Sequence, residues 1–461
     1  MKVDFQGNMG QVARYCGGTL IEGSPDAAFD TITTDSRALG NRNLFVPLRG
    51  EKFDGHSYIE ELAGSGRLAG FLTMDESHGA AAARANVAAV LCDDTLAAYG
   101  RIAAAHRDSV APLVVGVTGT NGKTTIKEMA WSVLGRKFRC LKNEKNYNNE
   151  VGVPYTLLGL RSEHRCAVIE MGMNHPGEIG RLARIARPDI AVISSVGEGH
   201  LEFLGSVENV ARAKLEILAG MKNGAVVILN RDTACFDMLR DACREQEMTA
   251  VTFGLGENAD WRPEEYALGK DHISFRVRGL GYRLPLYGIH NLYNALAVLA
   301  LAERLGVGAD DARDALSLFG GVDMRGRLIE KGYTIIDDTY NSNPLSLRYA
   351  LISMAGVFPG NRKVAVLGDM KELGEEAERL HREAGAMAAE LGVDELWTLG
   401  DLAAFFADGA SGKGLEGRCR RFNDRAALAA GLKASLVAGD VVLVKGSRSM
   451  KMEEIVDALV R

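Results

Sequence analysis

Residues 114–128 read VVGVTGTNGKTTIKE, and this stretch decides what fold to expect. The apolar run predicts a buried strand, the glycines predict a tight loop, and the pattern after Lys123 predicts a helix. Glycines let backbone N–H groups turn inward, and a helix N-terminus adds free donors and the positive end of a dipole. A lysine and a hydroxyl at this point bring charge to outer phosphates and an oxygen to Mg²⁺. The stretch therefore predicts a phosphate-binding loop.

The loop departs from the strict P-loop spacing, because Val117 stands where a glycine is expected six positions before Lys123. Gly119 and Gly122 serve instead, as in a compact variant of the loop. The alternative is a plain glycine-rich turn, which the combination of strand, lysine, two threonines and helix argues against. The residues predicted to bind nucleotide phosphates are Gly119, Thr120, Asn121, Gly122, Lys123, Thr124 and Thr125.

The bulk composition narrows the class of protein. A chain of 461 residues is too long for one core, so two to four domains are expected. A net charge of −6 does not favour binding to nucleic acid or to an anionic membrane. No membrane-spanning helix is expected from the sequence. The seven cysteines are scattered, odd in number and never in a CxxC pair, which argues against a disulfide framework or a zinc site. With no apolar signal segment near Met1, we expect a cytoplasmic protein.

The pattern of apolar runs predicts an α/β protein of three domains, at residues 1–109, 110–321 and 322–461. Continuous apolar runs in the second domain indicate strands covered on both faces, hence a doubly wound parallel sheet. Those runs are residues 113–117, 166–171, 190–196 and 225–229. Residues 273–277 and 282–286 suggest an antiparallel addition, and residues 109–112 a linker. The first domain reads as a small α/β unit and the third as a second βα alternation.

Several polar residues follow predicted strand ends in the second domain. Glu170 ends an apolar run, where nucleotide enzymes place a Mg²⁺ carboxylate, although a cap or ion pair is an equal alternative. His200 lies in a glycine-rich loop, although a lone histidine is more often structural. Asn148 and Asn149 belong to an amide cluster that suits phosphate or substrate oxygens behind a phosphate loop; alone it would be a turn.

Three further polar stretches concern the third domain: residues 337–344 (DDTYNSNP), residues 445–451 (KGSRSMK) and residues 324–327 (MRGR). Each alone could be a solvated loop. All three follow a strand end or lie at the domain boundary, which favours one shared cleft. A third domain that closes over the phosphate loop would complete a site.

With these residues in hand, the chain resembles the Mur ligase family along its whole length. The loop TGTNGKTT is moderately specific, since folylpolyglutamate synthases share it. The specific set, in chain order, is NYNNEVGVP (146–154), EMG (170–172), GEGHLEFLGSVENVARAK (197–214), HNLYNALA (290–297), DDTYNSNP (337–344) and LGDMKELG (367–374). The resemblance implies a UDP-binding first domain and a central P-loop ATPase domain. It also implies a Rossmann-like C-terminal domain that closes over ATP and binds an incoming dipeptide.

The resemblance also implies roles for single residues. The catalytic set would be Lys123, Glu170, His200, Lys214, Arg327 and Asp338, and the ligands of two Mg²⁺ ions Thr124, Glu170, His200 and Lys214. Lys214 looks solvated from its helical spacing alone; the resemblance implies that it carries a carbamate. Asn291 and Asn294 would contact adenine, and Arg327 and Asp338 the ribose and phosphates. Substrate contacts would be Ser36 and Arg37, in the uridine site, with Asn148, Asn149, Tyr340, Asn341 and Asn343.

The motif variants indicate one step within the family. The chain lacks a DNPR motif, which marks the diaminopimelate-adding members, and carries LGDMKELG in that region. The resemblance implies ATP-dependent amide ligation of D-alanyl-D-alanine to UDP-N-acetylmuramoyl-tripeptide through an acyl phosphate, in the cytoplasmic stage of peptidoglycan synthesis, by a monomer. One departure is TNGKTT, where many tripeptide ligases have GSSGKT.

Two rival interpretations stay open from the sequence. The first is another amide ligase, such as a folylpolyglutamate synthase or a different muramyl step; the TDSR motif (34–37) and the first domain speak against a folate enzyme. The second is a nucleotide-dependent switch or motor. A protein of that class is expected to carry an NKxD motif or an arginine finger.

Overall fold

The computed structural model describes residues 1–50 and 52–461. The described residues form three α/β units, each around a six-stranded sheet, and a separate three-stranded sheet packs on the core of the second. The α/β fold class and the parallel sheets predicted for the second and third units are confirmed.

The first unit is a mixed sheet in the order β1-β3-β4-β5-β6-β2. Its strands are β1 Lys2–Asn8, β2 Thr19–Glu22, β3 Ala28–Thr33, β4 Asn43–Phe45, β5 Leu68–Thr73 and β6 Ala88–Leu91. Its helices are α1 Met9–Cys16, α2 Ile59–Ala63, α3 Gly79–Ala85 and α4 Thr95–Val110. The linker predicted at residues 109–112 starts later, because α4 runs to Val110 before Ala111 takes a φ of 50° and Pro112 prevents continuation.

The central unit has an all-parallel sheet in the order β12-β11-β10-β7-β9-β8. Its strands are β7 Leu113–Thr118, β8 Cys140–Lys142, β9 Cys166–Glu170, β10 Ile190–Ile193, β11 Val226–Asn230 and β12 Thr249–Phe253. Its helices are α5 Lys123–Leu134, α6 Gly152–Leu158, α7 Glu178–Ala186, α8 Leu201–Leu204, α9 Val207–Leu215, α10 Phe236–Glu245, α11 Ile289–Arg304 and α12 Ala309–Ser317. Val114 and Val115 lie in two different apolar clusters, so β7 is covered on both faces.

The three-stranded sheet is antiparallel: β13 Glu265–Leu268, β14 Ile273–Val277 and β15 Leu280–Leu284. The last strand begins two residues before the predicted start at 282. Arg278 and Gly279 have φ of 51° and 76°, and this pair of positive φ values is that of a type I′ hairpin turn. A two-residue turn leaves β15 to start at Leu280.

The third unit has the order β16-β17-β21-β18-β19-β20, parallel except for the edge strand β16. Its strands are β16 Arg327–Glu330, β17 Thr334–Asp338, β18 Lys363–Gly368, β19 Glu395–Leu399, β20 Cys419–Phe422 and β21 Val441–Lys445. Its helices are α13 Pro344–Val357, α14 Ala377–Glu390, α15 Ala404–Ser411, α16 Arg425–Ser435 and α17 Glu453–Val460. Short 3-10 turns occupy Gly55–Tyr58, Glu76–His78, Glu216–Gly220, Gly374–Glu376 and Arg448–Met450.

Two edges of these sheets meet. The loops after β7, β9 and β10 lie at the carboxyl edge of the central sheet, and the loops after β17 and β21 at the carboxyl edge of the third. Ligands of open α/β sheets bind at such edges. Within residues 1–50 and 52–461, no helix has the combination of length and apolar character needed to span a bilayer.

Candidate active site

The phosphate loop lies between β7 and α5, as predicted. Gly119 and Gly122 have φ of 143° and 83°, in the region that favours glycine. A Cβ on Gly119 would lie 2.0 Å from Ser194 Oγ, and one on Gly122 would lie 2.6 Å from Asn294 Oδ1. Both glycines are therefore required by backbone conformation and by space.

The Lys123 ammonium folds back onto its own loop. Its Nζ donates to the carbonyl oxygens of Gly119 (2.6 Å) and Thr120 (3.0 Å). Desolvation lowers the pKa of Lys123 to about 8, with Glu170 opposing that shift and Arg325 adding to it. These carbonyl contacts hold the lysine at the loop that would receive the phosphates.

An arginine from the hinge reaches the first turn of α5. Arg325 Nη2 donates to Thr124 Oγ1 at 3.1 Å, and its guanidinium lies 4.1 Å from the centroid of the Tyr340 ring. Arg325 Nε is buried without a hydrogen-bond partner among the described residues. The hydroxyl predicted to hold Mg²⁺ is thus already in contact with a hinge cation.

Glu170 is buried at the end of β9 and is held from several sides. Asn148 Nδ2 donates to Glu170 Oε1 at 2.7 Å, and the Asn143 side chain bonds the backbone N–H and C=O of Glu170 at 2.9 and 2.8 Å. Glu170 Oε2 lies 3.7 Å from Lys127 Nζ and has no hydrogen-bond partner within the described chain. A buried carboxylate oxygen with free lone pairs suits Mg²⁺, which prefers oxygen ligands.

Lys214 is fully buried on α9, and its Nζ has no partner among the residues that the structure describes. Desolvation, followed by the positive charge of Lys123, lowers the pKa of Lys214 well below its ordinary value, although Glu216 and Glu178 oppose that shift. The Glu216 carboxylate instead accepts from the backbone N–H groups of Gly177 (2.6 Å) and Gly180 (3.0 Å). Burial and the Lys123 charge therefore both favour the uncharged form of the Lys214 amine.

His200 connects the central unit to the third. It adopts a left-handed φ of 57°, and its Nδ1 lies 2.7 Å from Glu372 Oε2, without the alignment of a hydrogen bond. The Glu202 N–H donates to the Glu372 carbonyl at 3.0 Å. The imidazole contact lowers the pKa of Glu372 despite the opposing effect of desolvation. The predicted ligand His200 thus faces an acid of the LGDMKELG motif.

A cavity of about 90 Å³ lies between the central and third units. The structure brings these predicted residues to it: Asn121, Gly122, Thr125, Asn294, Asp338, Tyr340 and Asn341. The sequence reasoning missed Ser194, Ser195, His290, Tyr293, Tyr349 and Arg325, which also line it. The two serines follow β10 directly, so their strand-end position was an available signal.

Two contacts close this cavity from the third unit. The side-chain amides of Asn121 and Asn343 exchange hydrogen bonds of 3.0 and 2.9 Å across the domain boundary. Lys445 Nζ donates to Asp338 Oδ2 at 2.6 Å and to the Asn341 carbonyl at 2.9 Å. The first contact sets a loop of the third unit against the phosphate loop, and the second joins the loops after β17 and β21 within the third unit.

Some predicted residues lie outside the cavity. Arg327 has a side chain that is 62% exposed and lies 3.9 Å from Asp323, in a neighbouring groove of about 440 Å³ that also contains Asn291. Asn149 Oδ1 accepts from the N–H groups of Val151 and Gly152 at the start of α6, a structural use.

The first-unit residues form no contact with the cavity. Arg37 is 87% exposed and pairs with Asp35 at 2.9 Å, while Ser36 is half-buried beside it. Within the part of the chain that the structure describes, the cavity lining contains residues of the central and third units.

The phosphate loop, a buried carboxylate oxygen free to coordinate and a cavity closed by another α/β unit define an ATP-using enzyme of several domains. Three family models match the chain: "Mur ligase family, catalytic domain" at residues 29–107, "Mur ligase middle domain" at 117–302, and "Mur ligase, glutamate ligase domain" at 324–448. The chain belongs to the Mur ligase family, whose members are ATP-dependent amide-forming ligases.

Relatives match over nearly the whole chain. A UDP-N-acetylmuramoyl-tripeptide--D-alanyl-D-alanine ligase of Bacillus subtilis (strain 168) is 38% identical over 433 residues, 93% of each chain. The ligase of the same name from Escherichia coli (strain K12) is 34% identical, covering 94% of each. A crystal structure of MurF from Acinetobacter baumannii has a TM-score of 0.90 at 30% identity and covers 99% of both chains. MurF ligase from Thermotoga maritima in complex with ADP has a TM-score of 0.82 at 27% identity, covering 93% of this chain and 96% of its own.

Proposed function

We propose that this chain joins D-alanyl-D-alanine to UDP-N-acetylmuramoyl-tripeptide, with cleavage of ATP to ADP and phosphate. The observation that carries the proposal is the cavity at which the phosphate loop meets Asp338, Tyr340 and Asn341 of the third unit. The substrates are those in the names of relatives that match more than nine-tenths of the chain.

The reaction needs ATP because a carboxylate oxygen is a poor leaving group. A carboxylate oxygen of the tripeptide would attack the γ-phosphorus of ATP, forming an acyl phosphate and releasing ADP. The free amine of D-alanyl-D-alanine would then attack the acyl carbon and lose a proton. The tetrahedral intermediate would expel phosphate and leave the amide. Closure of the third unit would keep water from the acyl phosphate.

Lys123 would leave the carbonyls of Gly119 and Thr120 and turn to the phosphates. Both partners are backbone acceptors of its own loop, so no other charge has to be displaced. Positioned cations that meet developing phosphate charge are the usual catalysts of phosphoryl transfer.

Thr124, Glu170 and His200 would hold Mg²⁺ in this site. The fit rests on Glu170 Oε2, a buried carboxylate oxygen without a hydrogen-bond partner in the described residues. When bound, Mg²⁺ neutralises the charge of the phosphate oxygens. Thr124 Oγ1 would have to exchange its Arg325 contact for the ion.

Lys214 would supply a further ligand, for a second Mg²⁺, as a carbamate. A neutral amine can attack CO₂, forming an N–C bond and losing one proton to give an anion. The buried, unpartnered Nζ of Lys214 meets the first requirement. The Lys123 charge beside it would stabilise the product.

Arg325 is the better candidate for the hinge contact to ATP phosphates that the sequence assigned to Arg327. Arg325 touches Thr124 and lines the cavity, whereas Arg327 lies in the groove beside it. The adenine contacts of Asn291 and Asn294 and the ribose contact of Asp338 stay predictions. Asn294 is supported by its place beside Gly122 in the lining of the cavity.

We place the UDP moiety on the first unit, near Ser36, Arg37 and the Gly55–Tyr58 turn. The three proposed domains keep the bounds 1–109, 110–321 and 322–461. We propose the cytoplasm as the site of action, because all seven cysteines are free thiols and ATP is a substrate. The monomeric state stays a prediction.

The test is phosphate release from ATP and Mg²⁺ with UDP-N-acetylmuramoyl-tripeptide, with and without D-alanyl-D-alanine. We expect release that needs both, with a pentapeptide product by mass. Release that is fast without any peptide substrate would contradict the proposal. Product formation with a folate or another amino acid instead would support the ATP site but would show that the proposed substrates are wrong.

A further inference from the structure

One buried charge of the central unit has no part in the mechanism above. Lys127 is 0% exposed on α5, four residues after Lys123 and so on the same face of the helix. An ammonium is rarely fully buried unless it is paired.

The contacts of Lys127 Nζ are of two kinds. It donates to the backbone carbonyls of Asn143 (2.9 Å) and Lys145 (3.1 Å), in the segment that follows β8. It also lies 3.1 Å from Glu128 Oε1 and 3.7 Å from Glu170 Oε2. The carbonyls satisfy its donors, and the carboxylates balance its charge.

The carboxylate contact has an unusual geometry. At 3.7 Å the Lys127 ammonium is close enough to pair with Glu170 Oε2 but too far to hydrogen-bond it. The other oxygen, Oε1, is fixed by Asn148 at 2.7 Å, so the carboxylate is held without occupying Oε2. The atom proposed as a metal ligand is thus neutralised by a nearby charge and still free to coordinate.

The neighbouring carboxylate of Glu128 does not prevent Lys127 from balancing the charge of Glu170. It is shared between Lys127 and Lys142, whose Nζ contacts Glu128 Oε2. Two ammonium groups therefore face two carboxylates, and the Lys123 charge lies nearby. The site carries no excess of negative charge to attract a free divalent cation.

We propose that Lys127 is the resident counter-ion of Glu170, which keeps the affinity of the nucleotide-free protein for a divalent cation low, so that cation and ATP are bound together. This inference rests on the proposed function only in taking Glu170 as a cation ligand. The phosphates of ATP would supply the negative charge that the protein alone withholds. Lys127 is a positioning residue, because it acts through Glu170.

If Lys127 only tied α5 to the 143–145 segment, its removal would change the affinity for the cation in a different direction. Removing such a tie would loosen Glu170 and weaken cation binding or leave it unchanged. Removing a counter-ion leaves the Glu170 carboxylate without a balancing charge, so the cation binds more tightly. The direction of the change in metal affinity separates the two.

The experiment titrates Mn²⁺ into nucleotide-free protein and follows the electron paramagnetic resonance signal of free Mn²⁺. We expect Lys127→Met to bind Mn²⁺ at least ten-fold more tightly than the native chain, and Glu170→Gln in the same background to abolish the gain. Lys127→Arg keeps the charge and should stay within two-fold of the native chain. Equal or weaker binding by Lys127→Met would overturn the inference.

The chain offers a matched control. Lys137 Nζ also donates to two backbone carbonyls, those of Leu305 (3.0 Å) and Gly306 (2.8 Å), but it is exposed, and the structure gives it no ion pair among the described residues. Lys137→Met should leave Mn²⁺ affinity within two-fold of the native value. A ten-fold gain there would show that the effect is not specific to Glu170.

A second measurement needs no variant, in case Lys127→Met does not fold. The native chain should bind Mn²⁺ at least 100-fold more tightly with a non-hydrolysable ATP analogue than without it. Equal affinity in both conditions would overturn the inference even if amide formation is intact. Loss of amide formation with normal Mn²⁺ behaviour would instead reject the proposed substrates.

Discussion

The carboxyl edge of the central sheet and the hinge strip at residues 324–327 are built in opposite ways. At the sheet edge, Glu170 and Lys214 are buried at positions fixed by a strand and a helix. In the hinge, Met324 and Gly326 have positive φ, and both Arg325 and Arg327 line one groove, but only Arg325 also lines the cavity. A regular element sets where a side chain points, whereas an irregular strip does not. The strand-end position of Glu170 therefore identified it as a candidate, Lys214 was assigned through the family resemblance, and spacing could not rank the two hinge arginines.

The largest effect should come from the sheet edge. Lys123→Ala removes the charge proposed to meet the γ-phosphate, so we expect kcat/KM for ATP to fall by about 10³-fold, the scale of losing one preorganised donor. Steady-state phosphate release measures it, with the exposed Lys222→Ala as control. A loss below ten-fold would mean that the loop binds phosphates without Lys123.

The hinge arginines test the other side of the comparison. Arg325→Ala removes the guanidinium at Thr124, and we expect kcat/KM for ATP to fall about 10²-fold, the lower end of the loss from removing one preorganised donor. Arg327→Ala should cost less than about three-fold, because its side chain is 62% exposed. The reverse ranking would restore the assignment made from sequence.

A pH effect is expected where the hinge meets α11. Burial lowers the pKa of His290 to about 4. Between its ordinary value near 6.5 and 4, the unfolded chain binds a proton that the folded protein does not. The buried His290 therefore lowers the free energy of unfolding as the pH falls through that window. Above the window it has no such effect.

His290→Asn should remove this effect. We expect the loss of Tm between pH 7 and pH 5 to be smaller by about 3 °C in the variant, by calorimetry. An unchanged pH dependence would mean that His290 titrates normally. The exposed His175→Asn is the control and should leave the difference as it is.

The smallest effect should come from the contact between the two regions. Asn343→Ser loses the amide that pairs with Asn121 but keeps an oxygen able to cap α13. We expect KM for ATP to rise about three-fold, since one neutral pair contributes about 1 kcal/mol, with Tm unchanged. A lower Tm without a change in KM would mean that Asn343 only caps helix α13 and does not help to bind ATP.

Much of the architecture could be predicted from sequence. The strands Leu113–Thr118 and Cys166–Glu170 match the predicted runs 113–117 and 166–171 to within one residue, because continuous apolar runs mark strands buried on both faces. Edge strands such as Lys2–Asn8 and Cys140–Lys142 were not predicted, since they are partly exposed or only three residues long. Their pairing is set by tertiary contacts.

The candidate site was predictable where motif and element coincide. Lys123, Glu170 and Asn294 lie where a loop, a strand end and a helix face put them. Lys127 escaped notice because a lysine in a helix looks solvated, and its burial depends on the folded 143–145 segment. Arg325 escaped because two arginines two residues apart cannot be ranked by spacing alone.

The most direct test of the central claim follows the oxygen atoms. UDP-N-acetylmuramoyl-tripeptide labelled with ¹⁸O in its reacting carboxylate is turned over with ATP and D-alanyl-D-alanine, and the released phosphate is analysed by mass. An acyl phosphate transfers one carboxylate oxygen to phosphorus, so we predict one ¹⁸O in each phosphate released. Unlabelled phosphate together with amide product would contradict carboxylate phosphorylation, and with it this account of how the phosphate loop and the third unit work together.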